Sequence, residues 1–230
     1  MTPDKPRFSF NHVILCLPAN SDTTWLECTD NTGLFGYMSD FTDDRYALIL
    51  KPTGGELART PSFSASANET VRKASVTLGD NGSAGIEISC TYRNLAMSNT
   101  NFYQRELTGK KPIYAVKREV NLPSFDLESY TSELYKNQEP TLDINCSLTA
   151  RNVGRKVGDK LLVKPFLIQT SIPSLESDSV RVHPVFFKHG YTYLDSISIM
   201  LPAGMSILEP LAELDETNQF GQLSLYRVCQ

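Results

Sequence analysis

Period-two alternation of apolar and polar residues, together with turn chemistry, dominates the sequence, and no long window carries an apolar stripe at helical spacing. A period of two is that of a strand with one face buried, so the chain is expected to fold mainly as β. The clearest case is Ala74 to Leu78, then Gly79-Asp80-Asn81-Gly82, then Ala84 to Tyr92. Asn-Gly favours a type I′ turn, with positive φ at both central residues, and so predicts a hairpin there. A second hairpin is expected from Phe125 to Tyr135 and Thr141 to Arg151 around Lys136-Asn137-Gln138-Glu139-Pro140, with strands polar enough to leave one face wet. Lys160 to Val163, Val180 to Lys188, Asp195 to Leu201 and Gly221 to Val228 read as further strands. Short strands at this spacing, separated by Gly, Pro and Ser, predict an antiparallel β-sandwich. One helix is expected near 101–120, which Gly109 and Pro112 reduce to a turn followed by Ile113 to Val120.

Charge and composition exclude several functions. Lys plus Arg number 22 against 26 Asp plus Glu, a net charge of -4, which lacks the basic excess of a phosphate-backbone binder, so nucleic acid is not an expected partner. Apolar runs such as His12 to Leu17 fall far short of the roughly 20 residues of a membrane span. Met1 to Arg7 shows no apolar stretch behind its basic residues, so no secretory signal is read there. Cys16, Cys28, Cys90, Cys146 and Cys229 are scattered and odd in number, with no C-x-x-C pair, and read mostly as buried thiols rather than metal ligands. The turn-rich Pro52-Thr53-Gly54-Gly55 and the polar text after it suggest a boundary near residue 58.

The first fifty residues hold the one constellation that suggests chemistry. Phe10 to Leu17 and Thr24 to Thr29 flank the turn-forming Pro18 to Thr23 and are expected to pair as a hairpin. With the turn centred on Asn20 and Ser21, residue 12 faces residue 29, and His12 and Glu27 become diagonal neighbours on one face, about 7–8 Å apart at Cα. A slip of one residue would put them on opposite faces. A histidine oriented by a carboxylate is the base half of a nucleophilic triad.

The wording of this segment is Phe10-Asn11-His12-Val13-Ile14, Trp25-Leu26-Glu27-Cys28-Thr29, Gly36-Tyr37-Met38 and Arg45-Tyr46-Ala47-Leu48-Ile49. It resembles the C-terminal end of the catalytic core in bacterial transglutaminase-like proteins, a superfamily with a Cys, His, Asp triad on a papain-like fold. The resemblance implies that His12 is the general base and that Glu27 stands where the orienting Asp usually does, with Asp30 as an alternative acid. Asn11 and Trp25 would wall the site. Residues 60 to 230 resemble the all-β region that follows this core in a multidomain subset of the family. The expected organisation is therefore a core remnant at 1–58, in the form of a β-hairpin, followed at 59–230 by a β-sandwich region, which the resemblance implies is incomplete at its C-terminus because the family's β region usually runs further.

No Cys precedes His12, and Cys16 sits about 13 Å along the same strand at roughly 3.3 Å per residue, so the triad would act only with a Cys supplied from outside this chain. The resemblance thus implies the C-terminal part of a cysteine peptidase or acyltransferase that is inactive by itself, and places it in the periplasm or at the cell surface. Its partners would be an upstream core segment or a protein or peptide substrate, with no cofactor or metal. The alternative is a stand-alone β-sandwich binding or adhesion module without enzymatic activity. Three weaker signals complete the reading. His183 and His189 lie too far apart on an extended segment to share a metal, and Asp40, Asp43 and Asp44 lack the Gly and closing Glu of a calcium loop and read as a solvated turn. Lys110, Lys111, Lys117 and Arg118, with Glu106 and Glu119 nearby, read as mixed-charge surface.

Overall fold

The computed structural model describes residues 10–18, 23–29, 34–98, 100, 112–136, 139–168, 184 and 186–228. The fold is mainly β. Thirteen strands are assigned among these residues: β1 (Leu15–Pro18), β2 (Thr23–Leu26), β3 (Tyr46–Lys51), β4 (Gly54–Arg59), β5 (Glu69–Leu78), β6 (Ala84–Arg93), β7 (Asp126–Tyr135), β8 (Thr141–Ala150), β9 (Gly154–Val157), β10 (Lys160–Val163), β11 (Thr192–Met200), β12 (Leu214–Asn218) and β13 (Gly221–Leu225). The chain divides into two compact units, Met1–Met200 and Leu201–Gln230. The boundary expected near residue 58 falls inside β4, which pairs along its whole length with β3.

The first unit is built on one five-stranded sheet in the order β11-β5-β6-β8-β7. Its strands follow the alternation read from the sequence: on β5, β6 and β8 every second residue is buried. The pairing aligns these residues in rows across the sheet. Ile199, Val76, Ile86, Leu148 and Leu127 form one row, and Ile197, Ala74, Ile88, Cys146 and Tyr130 the next. The wet face carries Lys73, Ser75, Glu87, Ser89, Asn145 and Thr149, as the polar strands imply. On the buried side the second layer includes the short helix Ile113–Glu119, whose Glu119 reaches to 3.8 Å from Arg72 of β5. Val116, Val120, Leu167 and Ile168 are buried there too. Among the described residues the remaining strands pair as four two-stranded hairpins.

Three local expectations need correction. The β5–β6 turn is not type I′: Asn81 does not take positive φ, and only Gly82 does, at 84°. Gly82 N–H donates to Gly79 O at 3.0 Å, and Gly79 N–H to Ser83 O at 2.7 Å, which makes a five-residue loop with one left-handed residue. Glycine is required at 82, since a Cβ there would lie 2.0 Å from Gly154 O. Secondly, the sheet is not wholly antiparallel, because β11 runs parallel to β5. Parallel neighbours need a crossover, and the chain between residues 78 and 192 supplies it. Thirdly, within the strand expected at Val180 to Lys188 residues 186–188 are not strand, and most of the rest lies outside the described residues.

Arg72 locks the parallel edge. It is 3% exposed, and its guanidinium donates to both oxygens of Asp195 on β11, Nε at 2.8 Å and Nη2 at 2.7 Å. Arg72 and Asp195 are directly opposite in the register. Burial alone would lower the Arg72 pKa, but Asp195 and Glu119 outweigh it and raise it.

The second unit carries the antiparallel pair β12–β13, from Leu214↔Leu225 to Asn218↔Gly221. Its Asp215 accepts hydrogen bonds from Gln222 and Ser224 across that pair.

Candidate functional site

Strands β1 and β2 pair antiparallel with Leu15 opposite Leu26 and Cys16 opposite Trp25. This is the register that a turn centred on residues 20 and 21 dictates. Burial alternates along 11–17, with His12, Ile14 and Cys16 partly covered and Asn11, Val13, Leu15 and Leu17 exposed. His12 and Glu27 therefore share the inner face.

The two side chains meet. His12 Nε2 lies 2.7 Å from Glu27 Oε2, with His12 24% and Glu27 7% exposed. A carboxylate only accepts, so Nε2 carries the proton and Nδ1 is the ring nitrogen left for another group. The second carboxylate oxygen, Oε1, accepts from the Thr29 backbone N–H at 3.0 Å and from the Thr29 hydroxyl at 2.7 Å. Glu27 is thus held at both oxygens. Burial alone would raise its pKa, but the Thr29 hydrogen bonds and the His12 contact outweigh that and hold it below the ordinary 4.5.

A depressed carboxyl contributes stability that is fully present above its unfolded value and is lost as pH falls through the folded one. Thr29→Val removes the hydroxyl donor. It is expected to move the Glu27 titration upward, towards 4.5, in a carboxyl ¹³C NMR titration, and to shrink the acid-side loss of stability. An unmoved titration would show that the hydroxyl does not hold the carboxylate.

Trp25 is buried, two residues along the same face from Glu27. Asn11 is exposed and belongs to the outer alternation, so it does not wall the inner face. Asp30 lies outside the described residues. Thr29 is legible in the sequence as part of the Glu-Cys-Thr run, but its grip on Glu27 is not. Phe41 is a further neighbour that the sequence does not announce: its ring stands edge-on to His12, centroids 4.9 Å apart and planes at 72°.

Among the described residues no cysteine is hydrogen-bonded to His12. Cys90 and Cys146 are buried in the large sheet, and burial pushes their thiols up to about 12 and about 11, so they stay protonated and inert. Cys28 is exposed and directed at the Leu26 carbonyl, 3.7 Å away, while Cys16 sits opposite Trp25 further along β1. No group of three or more His, Cys, Asp or Glu suited to a metal occurs among the described residues, and no helix there is long and apolar enough to cross a membrane. A pocket at the ends of β5 and β6, lined by Ser64, Glu69, Arg93 and Glu139, includes neither His12 nor Glu27.

The solvated turn expected at Asp40, Asp43 and Asp44 is wrong for one of the three. Asp43 has no exposed side-chain surface, and lies 3.3 Å from His189 Nδ1 and 3.9 Å from Lys188 Nζ. Tertiary contact overrides the polarity of the turn. Burial raises the Asp43 pKa, and the attraction of His189 and Lys188 only partly offsets it. A raised carboxyl binds its proton more readily folded than unfolded. The stability it contributes is present below the ordinary 3.8 and is lost as pH rises through the folded value. Wild type is therefore expected to gain stability relative to Asp43→Asn as pH is lowered from neutrality towards 4, read as urea midpoints. A gap that does not change over that range would show that Asp43 keeps an ordinary titration.

Comparisons with protein-family models, with curated proteins and with solved structures return no match to the chain.

Proposed function

We propose that His12 and Glu27 are the base half of an acyl-transfer site of transglutaminase type, in the C-terminal part of such a protein, inert until a thiol is supplied from outside this chain. The observation that carries this reading is the 2.7 Å contact between His12 Nε2 and a Glu27 carboxylate fixed at its other oxygen by Thr29. In the step so assigned, the incoming thiol passes its proton to His12 Nδ1 as sulfur attacks an amide or ester carbonyl. Glu27 stabilises the imidazolium, which then protonates the leaving group, and water or an amine resolves the acyl-thiol. The quarter exposure of His12 leaves room for the thiol to arrive.

A second feature supports an upstream core segment as the partner. The outer residues of the β1 segment, Val13, Leu15 and Leu17, are 82%, 54% and 47% exposed, an apolar row of the kind a neighbouring core element covers. On this reading the periplasm or cell surface is the compartment, and residues 59–230 are the family's trailing β region.

A small free thiol can stand in for the missing cysteine. The chain is expected to accelerate thiolysis of an activated aryl ester on the order of 10²-fold over buffer, with His12→Ala and Glu27→Gln each losing most of that gain. An unchanged rate in His12→Ala would overturn the reading. Intact mass of the protein from the cells that make it provides a second check: a cysteine-bearing segment found with the 25.7 kDa of this sequence, in one chain or as a partner, is the expected result.

A further inference from the structure

The carboxylate fixes His12 at one atom. A ring held only at Nε2 still swings about that contact, and Nδ1 swings with it; a second contact is needed to set the ring plane. Phe41, half exposed and edge-on at 4.9 Å, is that contact. Phe41 belongs to the turn at 39–44, which the backbone ties down on one side. Thr42 and Asp43 N–H donate to Ser39 O, Asp44 N–H to Pro61 O, and the Thr60 hydroxyl to Thr42 O at 2.7 Å. On the other side the same turn sends Asp43 into the interior against His189 and Lys188, just ahead of β11. That segment is anchored in turn, because Asn68 donates its side-chain amide to Gly190 O and accepts from Thr192 N–H at its carbonyl.

Asp43 is fully buried with its oxygens facing His189 and Lys188, so the turn can leave its position only by drawing that side chain out of the interior and away from both. Among the described residues neither Asp43 oxygen nor His189 Nε2 has a hydrogen-bond partner, so close packing of Asp43 against His189 and Lys188, not a hydrogen-bond network, makes the contact. The charges that face the pair are Lys188, Asp40 and Asp44, the last paired with Arg59 at 2.7 Å, and Tyr37 and Tyr191 bring the neighbouring hydroxyls.

We propose that Asp43 is a positioning residue for the His12 site: clasped by His189 and Lys188, it holds the 39–44 turn so that Phe41 fixes the plane of the imidazole. The proposal rests on the reading of His12 as a general base, since only then does the ring plane matter to a reaction. Two residues apart in sequence, Phe41 and Asp43 join the hairpin of the first strands to the edge strand of the large sheet.

The test is NMR of the His12 ring in the whole chain, with no activity measured. Phe41→Leu defines the His12 Hε1 shift without the ring current of Phe41. Asp43→Asn and His189→Gln are each expected to move His12 Hε1 towards that position and to quicken exchange of the Thr42 and Asp43 amides about tenfold, while amides of β6 and β8 keep their wild-type shifts. His12 resonances that stay at the wild-type position in both variants, with the sheet intact, would overturn the proposal. So would movement confined to variants whose β6 and β8 amides also collapse, since that is loss of the fold rather than release of a clasp. A moved His12 ring in a chain that fails the thiolysis assay overturns the acyl-transfer reading and leaves the clasp standing.

Discussion

Ile86→Ala is expected to lower the free energy of unfolding by about 3–4 kcal/mol, the range for deleting a large aliphatic side chain from a core that cannot close over the gap. Ile86 is 1% exposed and sits on the central strand of the row Ile199, Val76, Ile86, Leu148 and Leu127. Its neighbours on both sides are held by strand pairing, so none can move in to fill the space. Ile199, at the edge of the same row, is only partly buried, and Ile199→Ala is expected to cost clearly less. Urea unfolding followed by circular dichroism reads both. Equal costs would mean that the large sheet has no tight centre.

The second large effect is an asymmetry at Arg72 and Asp195. Asp195→Ala strands a guanidinium that is almost wholly buried, with Glu119 at 3.8 Å as a poorer counter-charge, and is expected to cost about 3 kcal/mol. Arg72→Met removes the buried charge and fills its volume with an apolar chain, and leaves behind an Asp195 that is 34% exposed and can reach water. Its cost is expected to be only about 1 kcal/mol, because replacing a buried ion by a hydrophobic residue avoids the desolvation penalty. The order of the two variants in urea midpoint is the check. Arg72→Met proving the worse would mean that the pair holds β11 by attraction rather than by the penalty of an abandoned charge.

What could be read from the sequence is what lies close along the chain. The β1–β2 register follows from one turn and the parity of two short runs, and it brings His12 to Glu27 because strand periodicity puts both on one face as diagonal neighbours. The β5–β6 and β7–β8 hairpins are legible for the same reason, and the helix at Ile113–Glu119 because Pro112 can only begin one. Long-range facts were not legible. Nothing local marks Arg72 as the partner of Asp195, and nothing in a run of three aspartates on a turn says that the middle one, Asp43, goes inside. Asn11 was placed beside the site because it adjoins His12 in sequence, but adjacent residues on an extended segment face opposite ways. The Asn81-Gly82 pair pointed correctly to a turn, but the loop is longer than a two-residue hairpin and needs only one left-handed residue.

The parallel edge strand also has a consequence in time. Arg72 and Asp195 are 123 residues apart, whereas β5 to β8 close on neighbours within one stretch of about 80 residues. As the chain leaves the ribosome, four strands of the sheet are complete long before β11 exists, and the side of β5 that β11 will cover stands open with its backbone donors and acceptors unpaired. During that interval the nascent protein presents a sticky edge next to a charged Arg72, and a chain stalled or cut before residue 192 would keep it. The strand that covers this side of β5 is the last of the five to be synthesised.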